Sequence, residues 1–349
     1  MKIALVGCGA IARSHLRFLR KVMPNAYIYL CDVDRRKAEE LVSKLSTQAI
    51  YTGLDDLLLS DKPDAVHVLT PPQTHAALAE KAILAGCHVL IEKPVTETTE
   101  EFIKISNLAR RHDKILSVDY STLGMPVVLR AKREISSGRF GRLIAVHCSY
   151  GCSWPDNAIP YGDANHWSYS LRGGVLQNWA DHPASLVLDF MDPFEECKIF
   201  FSRRNILPRD CPDLLHVALR NQDQVGSFTL SVGHGNTDIR AQFILEGGFI
   251  GIDIRKMLIT YTRGRGPQNF IKKAISGILE GYSLVGETIR NSFRVITGRL
   301  QREPGIYNLI SNFYKTINSQ EKLLISHETV LSVTELLDKI WKELDYEKD

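Results

Sequence analysis

The chain predicts an α/β protein: a doubly wound parallel sheet joined to a second α/β domain built on a large, mostly antiparallel open sheet. Three observations in its 349 residues carry that expectation. Lys2-Ile3-Ala4-Leu5-Val6 is a buried-type strand that runs straight into a glycine turn, Gly7-Cys8-Gly9-Ala10-Ile11-Ala12. Buried strands and amphipathic segments then alternate with short connections up to about residue 120. Beyond that point the pattern changes to longer runs with period-2 alternation.

A Gly-x-Gly-x-x-Ala string by itself is an ordinary tight turn roughly as often as not, so its context decides. Gly7 permits the tight turn and Gly9 a close backbone approach. A pyrophosphate could then lie against the helix start at Ala10 and Ile11, held by exposed amides and the helix dipole. A second apolar run, Ala26 to Cys31, follows at the distance of a βαβ unit and ends at Asp32. An acid there accepts hydrogen bonds from the adenosine ribose hydroxyls and repels a 2′-phosphate, which favours NAD over NADP. Arg35 and Arg36 soften that preference by offering charge-assisted bonds to a phosphate. Capping of the following helix is the plainer role for Asp32 and Asp34, and the two roles coexist.

The next segments read in order. An amphipathic segment runs from Arg35 to Leu45. Ala65 to Leu69 is a strand ending in Thr70-Pro71-Pro72, followed by a helix from His75 to Ala85. His88 to Ile91 is a strand, Thr99 to Arg111 a helix, and Ile115 to Val118 a strand. Residues 1–120 form the first domain on this reading and 121–326 the second, with antiparallel strands at Leu143 to Tyr150, Val217 to Asn221, Val225 to Val232 and Ile239 to Leu245. Gly173-Gly174 opens a helix-like stretch through Met191, and residues 327–349 form a final helix expected to pack back on the first domain. Pro267 to Leu300 stands out, and residues 268–300 read as an amphipathic insertion. Phe270, Ile278, Tyr282, Ile289, Phe293 and Ile296 fall at helical spacing, with Lys272, Lys273, Arg290, Arg294 and Arg299 opposite. Packing on its own domain or on a partner subunit is the commoner use of such a stripe, and contact with a membrane surface the rarer.

Composition sets the outer bounds. Hydrophobic content of 44% and charged content of 24% describe an ordinary globular protein. The formal net charge of +3 gives no reason to expect nucleic acid. Seven scattered cysteines, several inside apolar strands, argue against a disulfide framework, and Cys148 with Cys152 lacks the second ligand pair of a metal site. No charged leader precedes the first strand and no apolar run approaches membrane-spanning length, so a cytoplasmic location is expected. An open sheet with an uncovered apolar face predicts a homodimer or homotetramer.

Glu92-Lys93-Pro94 closes a parallel strand at the edge where such sheets place ligands, making Lys93 a candidate donor or proton relay. Asn178 and His182, four residues apart, share one helix face. A histidine titrates near neutral pH, so His182 can take the proton of a hydroxyl while hydride leaves the same carbon. The remaining histidines, including His75, His112, His166 and His234, read as structural or as plain substrate contacts.

The glycine turn, Thr70-Pro71-Pro72 with His75, Glu92-Lys93-Pro94, Ser137-Gly138-Arg139-Phe140-Gly141 and Gly173-Gly174 leading to His182 resemble the glucose-fructose oxidoreductase, inositol dehydrogenase and rhizopine-catabolism family (Gfo/Idh/MocA) over essentially the whole chain. The resemblance implies an N-terminal Rossmann domain and NAD(P)-dependent oxidation or reduction of sugars, cyclitols or nucleotide sugars. It implies Lys93 and His182 as the catalytic pair, Asn178, Asp181 and Tyr120 toward the substrate, and Thr70, Pro71, Pro72, His75 and Glu92 toward the cofactor. Many members carry aspartate where this chain has Asn178, a neutral group that holds hydroxyls but cannot share a proton. The region after Met125 also lacks an arginine often present there. A redox-assisted glycosidase or lyase and a non-catalytic sugar or NAD sensor are the alternative functions.

Overall fold

The computed structural model describes residues 1–42, 49–153, 163–234, 237–263, 270–298, 300–319 and 321–346, and every structural statement below concerns these. Residues 43–45 of the expected Arg35 to Leu45 segment, 267–269 and 299 of the amphipathic stretch, and 347–349 lie outside them. The chain divides into two compact units, Met1–Gly124 with Gly305–Asp338, and Met125–Pro304 with Lys339–Asp349.

The first unit is built on a six-stranded sheet in the order β3-β2-β1-β4-β5-β6, with every pairing parallel. Its strands are β1 (Lys2–Val6), β2 (Tyr27–Cys31), β3 (Ala49–Tyr51), β4 (Ala65–Val68), β5 (His88–Glu92) and β6 (Leu116–Asp119). Ile3, Leu5, Ile28, Leu30 and Leu90 are fully buried, as strands covered on both faces require. Helix α1 (Ala10–Val22) buries Ala12, Leu16 and Leu19 at helical spacing and places Arg20 and Lys21 in its last turn, where the dipole favours cations. Helices α2 (Arg35–Val42), α3 (Leu54–Ser60), α4 (His75–Leu84) and α5 (Thr99–Arg111) connect the strands. The start of α5 is fixed by a capping box, Thr98 accepting from the Glu101 amide while the Glu101 side chain reaches back. Two helices from the end of the chain complete this unit. Ile310, Phe313 and Tyr314 of α9 (Pro304–Ser319) join the core formed by α1 and β1. The first turns of α10 (His327–Tyr346) bind α5, with His327 against Ser106 at 3.0 Å. The strand order reverses between β1 and β4, so the crevice for a ligand opens at the carboxyl ends of these two strands.

The second unit carries a seven-stranded sheet in the order β13-β12-β11-β7-β10-β9-β8, antiparallel except for β7 with β10. It comprises β7 (Leu143–Ser153), β8 (Glu196–Ser202), β9 (Leu214–Arg220), β10 (Val225–His234), β11 (Asp238–Leu245), β12 (Gly248–Asp253) and β13 (Leu258–Arg263). Helix α6 (Pro126–Ser136) precedes the sheet in sequence, α7 (Gly174–Leu188) lies between β7 and β8, and α8 (Phe270–Ile296) follows β13. Val146, Phe228, Leu230 and Phe243 are buried beneath α7, which is itself buried along almost its whole length. The structure corrects the expected uncovered apolar face. Alternation reveals that one face is apolar without revealing which face is covered, and here α7 covers it. The other face is mixed: His147 pairs with Ser227 and His216 with Thr229, each at 2.8 Å, Arg240 and Gln242 are exposed, and so are Phe200, Val225 and Phe249.

Candidate functional site

In the first unit the predicted residues gather at the carboxyl edge of the parallel sheet. Gly7 adopts φ +95°, and a Cβ there would lie 2.6 Å from the Leu69 carbonyl oxygen, so only glycine lets β1 turn this close to the end of β4. Gly9 is the N-cap of α1 and makes no side-chain cap, with open space where its Cβ would stand. The first amides of α1, at Ala10 and Ile11, thus have no intrahelical acceptor, the arrangement by which a helix start binds an anion. Asp32 braces this turn: one carboxylate oxygen accepts from the Cys8 amide at 2.7 Å and the other from the Asp34 amide at 2.9 Å. Each oxygen keeps a lone pair for a ribose hydroxyl. Asp34 caps α2 through the Arg36 amide at 3.1 Å, so bracing and capping fall to neighbouring acids. Arg35 bonds Glu39 and Arg36 bonds Asp34, which turns both guanidinium groups toward acids of their own segment.

Thr70, Pro71 and Pro72 form the turn from β4 into α4. His75 is buried behind them, its ring nitrogens 2.7 Å from the Thr70 carbonyl and 2.8 Å from the Pro94 carbonyl. It ties this turn to the one after β5, where Lys93 and Pro94 share a cis peptide bond. Burial holds its pKa below the ordinary histidine value, although both carbonyls oppose the shift. Glu92 accepts the Lys93 amide at 3.1 Å.

Behind Lys93 lies a buried charge cluster that the sequence reading did not single out. His15 Nε2 of α1 sits 3.2 Å from Asp119 at the end of β6 and 3.4 Å from Glu92 at the end of β5. Its Nδ1 lies 2.9 Å from His67 Nδ1 of β4, and His67 Nε2 lies 2.8 Å from the Tyr314 hydroxyl of α9. Burial alone would depress the His15 pKa, but Asp119 and Glu92 hold it up at about 9. His15 is then an imidazolium that donates to Glu92 and to His67 and faces Asp119 as an ion-pair partner, and His67 donates onward to Tyr314. His67 stays neutral, its pKa driven well down by burial and by the charge of His15. Burial and Glu92 raise the Asp119 pKa, whereas His15 and Lys93 lower it, which places the Lys93 ammonium within electrostatic reach of Asp119. Two acids and two cations thus balance at the ends of β5 and β6. The His15, Glu92 and Asp119 ligand atoms lie within 4.8 Å of one another, a spread that would also suit a cation. An Nε2 between two carboxylates is nonetheless the arrangement of an imidazolium with its counter-ions. The signal available in sequence was a titratable residue inside buried apolar runs: His67 in Ala65–Val68, Asp119 in Leu116–Asp119, and His15 on the apolar face of α1.

In the second unit the site residues lie on α7. Gly173 precedes the helix, where a Cβ would lie 2.4 Å from the Trp341 ring, and its amide donates to Gln177 at 2.8 Å. Asn178 is half-buried, and His182, 8% exposed, shares its face one turn on. The His182 ring stacks parallel on Tyr150 of β7, with centroids 5.6 Å apart and planes 3° off, and meets Trp179 at 5.7 Å. This packing fixes the imidazole plane. Asp181 is fully buried within the same helix, and Tyr120 of the first unit is 1% exposed in the turn after β6. Lys93 and His182 thus stand on separate units, each anchored by its own surroundings.

The model of an oxidoreductase family with an NAD-binding Rossmann fold matches residues 1–120, and that of the GFO/IDH/MocA C-terminal domain matches residues 128–251. A 1-carboxy-3-chloro-3,4-dihydroxycyclohexa-1,5-diene dehydrogenase from Comamonas testosteroni is 29% identical over 190 residues, 54% of this chain and 46% of that protein. A dTDP-3,4-didehydro-2,6-dideoxy-α-D-glucose 3-reductase from Saccharopolyspora spinosa is 31% identical over 195 residues, 55% of this chain and 56% of that protein. The matched stretches thus span about half the length of these two relatives. The fold is shared with the WlbA dehydrogenase of Bordetella pertussis, solved with NADH and UDP-GlcNAcA, at a TM-score of 0.77 and 18% identity, covering 98% of this chain and 95% of that one.

Proposed function

Because the chain belongs to the Gfo/Idh/MocA oxidoreductase family, we propose that it is an NAD-dependent dehydrogenase acting on a secondary hydroxyl of a sugar, cyclitol or nucleotide sugar. The observation that carries this reading is the convergence on one sheet edge of the Gly7–Gly9 turn, the Asp32 carboxylate and Lys93 with its buried counter-charges. These residues fit NAD: the turn closes only with glycine, the first amides of α1 suit a pyrophosphate, and Asp32 suits an unphosphorylated ribose. Bound there, the nicotinamide would accept or return the hydride.

The chain's own residues supply the rest. Lys93 donates a hydrogen bond to the substrate oxygen and stabilises negative charge as it develops. His182 takes the hydroxyl proton on a ring nitrogen, its ring held by Tyr150 and Trp179. Asn178 holds neighbouring hydroxyls, while Tyr120 and Asp181 shape the walls around the substrate. Thr70, Pro71, Pro72, His75 and Glu92 hold the two turns that border the cofactor. A reductase of a dTDP-sugar and a dehydrogenase solved with UDP-GlcNAcA among its relatives support a nucleotide sugar as the narrower substrate class.

The test is NADH formation with UDP- and GDP-sugars, free aldoses and inositols. Lys93→Ala lowers turnover with the best substrate at least about a hundredfold, the scale of a lost proton-transfer or oxyanion group, with NAD affinity nearly unchanged. Unchanged turnover overturns the assignment of Lys93. Cleavage of the substrate without net NADH would mark a redox-assisted glycosidase or lyase. NAD binding with neither oxidation nor cleavage would mark a sensor.

A further inference from the structure

The two acids at the ends of β5 and β6 differ in what they do with their charge. These strands run parallel and pair Glu92 with Asp119 across the sheet, so Asp119 lies one strand away, about 4.8 Å, from the residue that precedes Lys93. Both oxygens of Glu92 are engaged: one accepts the Lys93 amide at 3.1 Å and the other faces His15 Nε2 at 3.4 Å. Asp119 is 1% exposed, and neither of its oxygens accepts a hydrogen bond among the described residues. A carboxylate spread over donors and reached by water acts weakly beyond its own contacts, whereas one buried without donors acts strongly on the cations beside it. Burial and Glu92 raise the pKa of Asp119, and the cations that draw it back down are His15 and Lys93. His15 is fully buried 3.2 Å away and held from behind by His67, which Tyr314 holds in turn. Lys93 is the cation of the two that ends a flexible four-carbon stem.

We propose that Asp119 is a positioning residue for Lys93, its buried charge holding the mobile ammonium in place, which rests on the reading of Lys93 as the donor to the substrate oxygen. Asp119 takes no part in the chemistry itself. A donor on a flexible stem helps a reaction only when it waits in the right place, and a fixed opposite charge in a site of low dielectric confines it without occupying its hydrogen bonds. His15 fixes the carboxylate, and the chain through His67 to Tyr314 fixes His15. The buried cluster is thus a mount for Lys93, assembled wholly within the first unit.

The test is a double-mutant cycle on NADH formation with the best substrate, using Asp119→Asn, Lys93→Ala and the two together. Asp119→Asn keeps the shape and removes the charge. Its turnover falls about tenfold to a hundredfold, the scale of a group misplaced by about 1 Å, while NAD affinity and the far-ultraviolet circular dichroism spectrum stay those of the wild type. In the Lys93→Ala background the same change costs nothing further. Full turnover in Asp119→Asn overturns the proposal, and so does an equal loss with and without Lys93, which marks a purely structural role. Unchanged turnover in Lys93→Ala overturns the reading of Lys93 instead. If Asp119→Asn does not fold, His15→Gln/Asp119→Asn, which removes both buried charges, takes its place in the cycle. A second measurement needs no substrate: the lysines are reductively methylated with isotopically labelled formaldehyde, and the Lys93 resonance is identified by its loss in Lys93→Arg. Asp119→Asn moves that resonance, and one that stays in place overturns the proposal whatever the turnover.

Discussion

Replacing His15 with glutamine removes the cation that two buried carboxylates share, and the structure sets both the size and the pH window of the effect. His15 is fully buried, and its pKa rises from 6.5 to about 9 because Asp119 and Glu92 outweigh the cost of burial. That difference is worth about 3 kcal/mol at ~1.36 kcal/mol per pH unit. The folded state binds the proton more tightly than the unfolded chain, so this stability is fully present below pH 6.5 and is lost as pH rises through about 9. Asp119 is also raised, by burial and by Glu92, and its contribution likewise falls as pH rises, beginning above 3.8. His15→Gln leaves Asp119 beside Glu92 without its counter-ion, a loss of about 3–5 kcal/mol for a broken buried pair. His15→Gln/Asp119→Asn removes both charges and recovers part of that loss. The measurement is urea unfolding between pH 6 and 10 followed by far-ultraviolet circular dichroism. Tryptophan fluorescence would report the wrong unit, since Trp154, Trp167, Trp179 and Trp341 all fall within 125–304 or 339–349. A wild type whose stability does not fall between pH 6.5 and 9 relative to the double variant refutes the imidazolium. A double variant no more stable than His15→Gln refutes the pairing.

Two further outcomes follow from the cofactor edge. Gly7→Ala drives a Cβ to within 2.6 Å of the Leu69 carbonyl oxygen at φ +95°, so the turn must open at a cost of about 1–3 kcal/mol. Isothermal titration should show at least about tenfold weaker NAD binding, and wild-type affinity would remove the turn from the cofactor site. Asp32→Asn keeps the shape but removes the charge, so affinity for NAD falls severalfold while affinity for NADP rises. An unchanged ratio would mean that Asp32 only braces Cys8 and caps the chain. In the second unit, Asn178→Asp gives the proton taken by His182 a second acceptor. Turnover of the variant should show an added ionisation in its pH profile, and a superimposable profile would place Asn178 away from the reacting hydroxyl.

What was legible in the chain follows from where side chains are forced to be. Strands buried on both faces read as unbroken apolar runs, so β1, β2, β4, β5 and β6 could be located, and α5 could be placed at Thr99 to Arg111, where the structure has it. Elements too short or too weakly patterned escaped notice. β3 has three residues, none of them buried, and α3 has seven. α9 falls just after the conspicuous amphipathic stretch, although its Phe313 and Tyr314 are core residues of the first unit. Contacts far apart in sequence leave no local period, so nothing near residue 310 announced that it packs beside β1.

The candidate site divides along the same line. Glycines at forced turns and a lysine at a strand end are local facts, and they stood out. The charge environment of Lys93 is assembled from α1, β4, β5, β6 and α9, five segments whose partners lie up to 247 residues apart. Each member looks like an isolated polar residue in an apolar run until the fold joins them. Joined, they explain why a strand in an otherwise apolar sheet can end in Glu92 and its neighbour in Asp119: His15 and Lys93 offset both charges. In the proposed reaction Lys93 donates a hydrogen bond to the substrate oxygen, and the taking of the proton falls to His182.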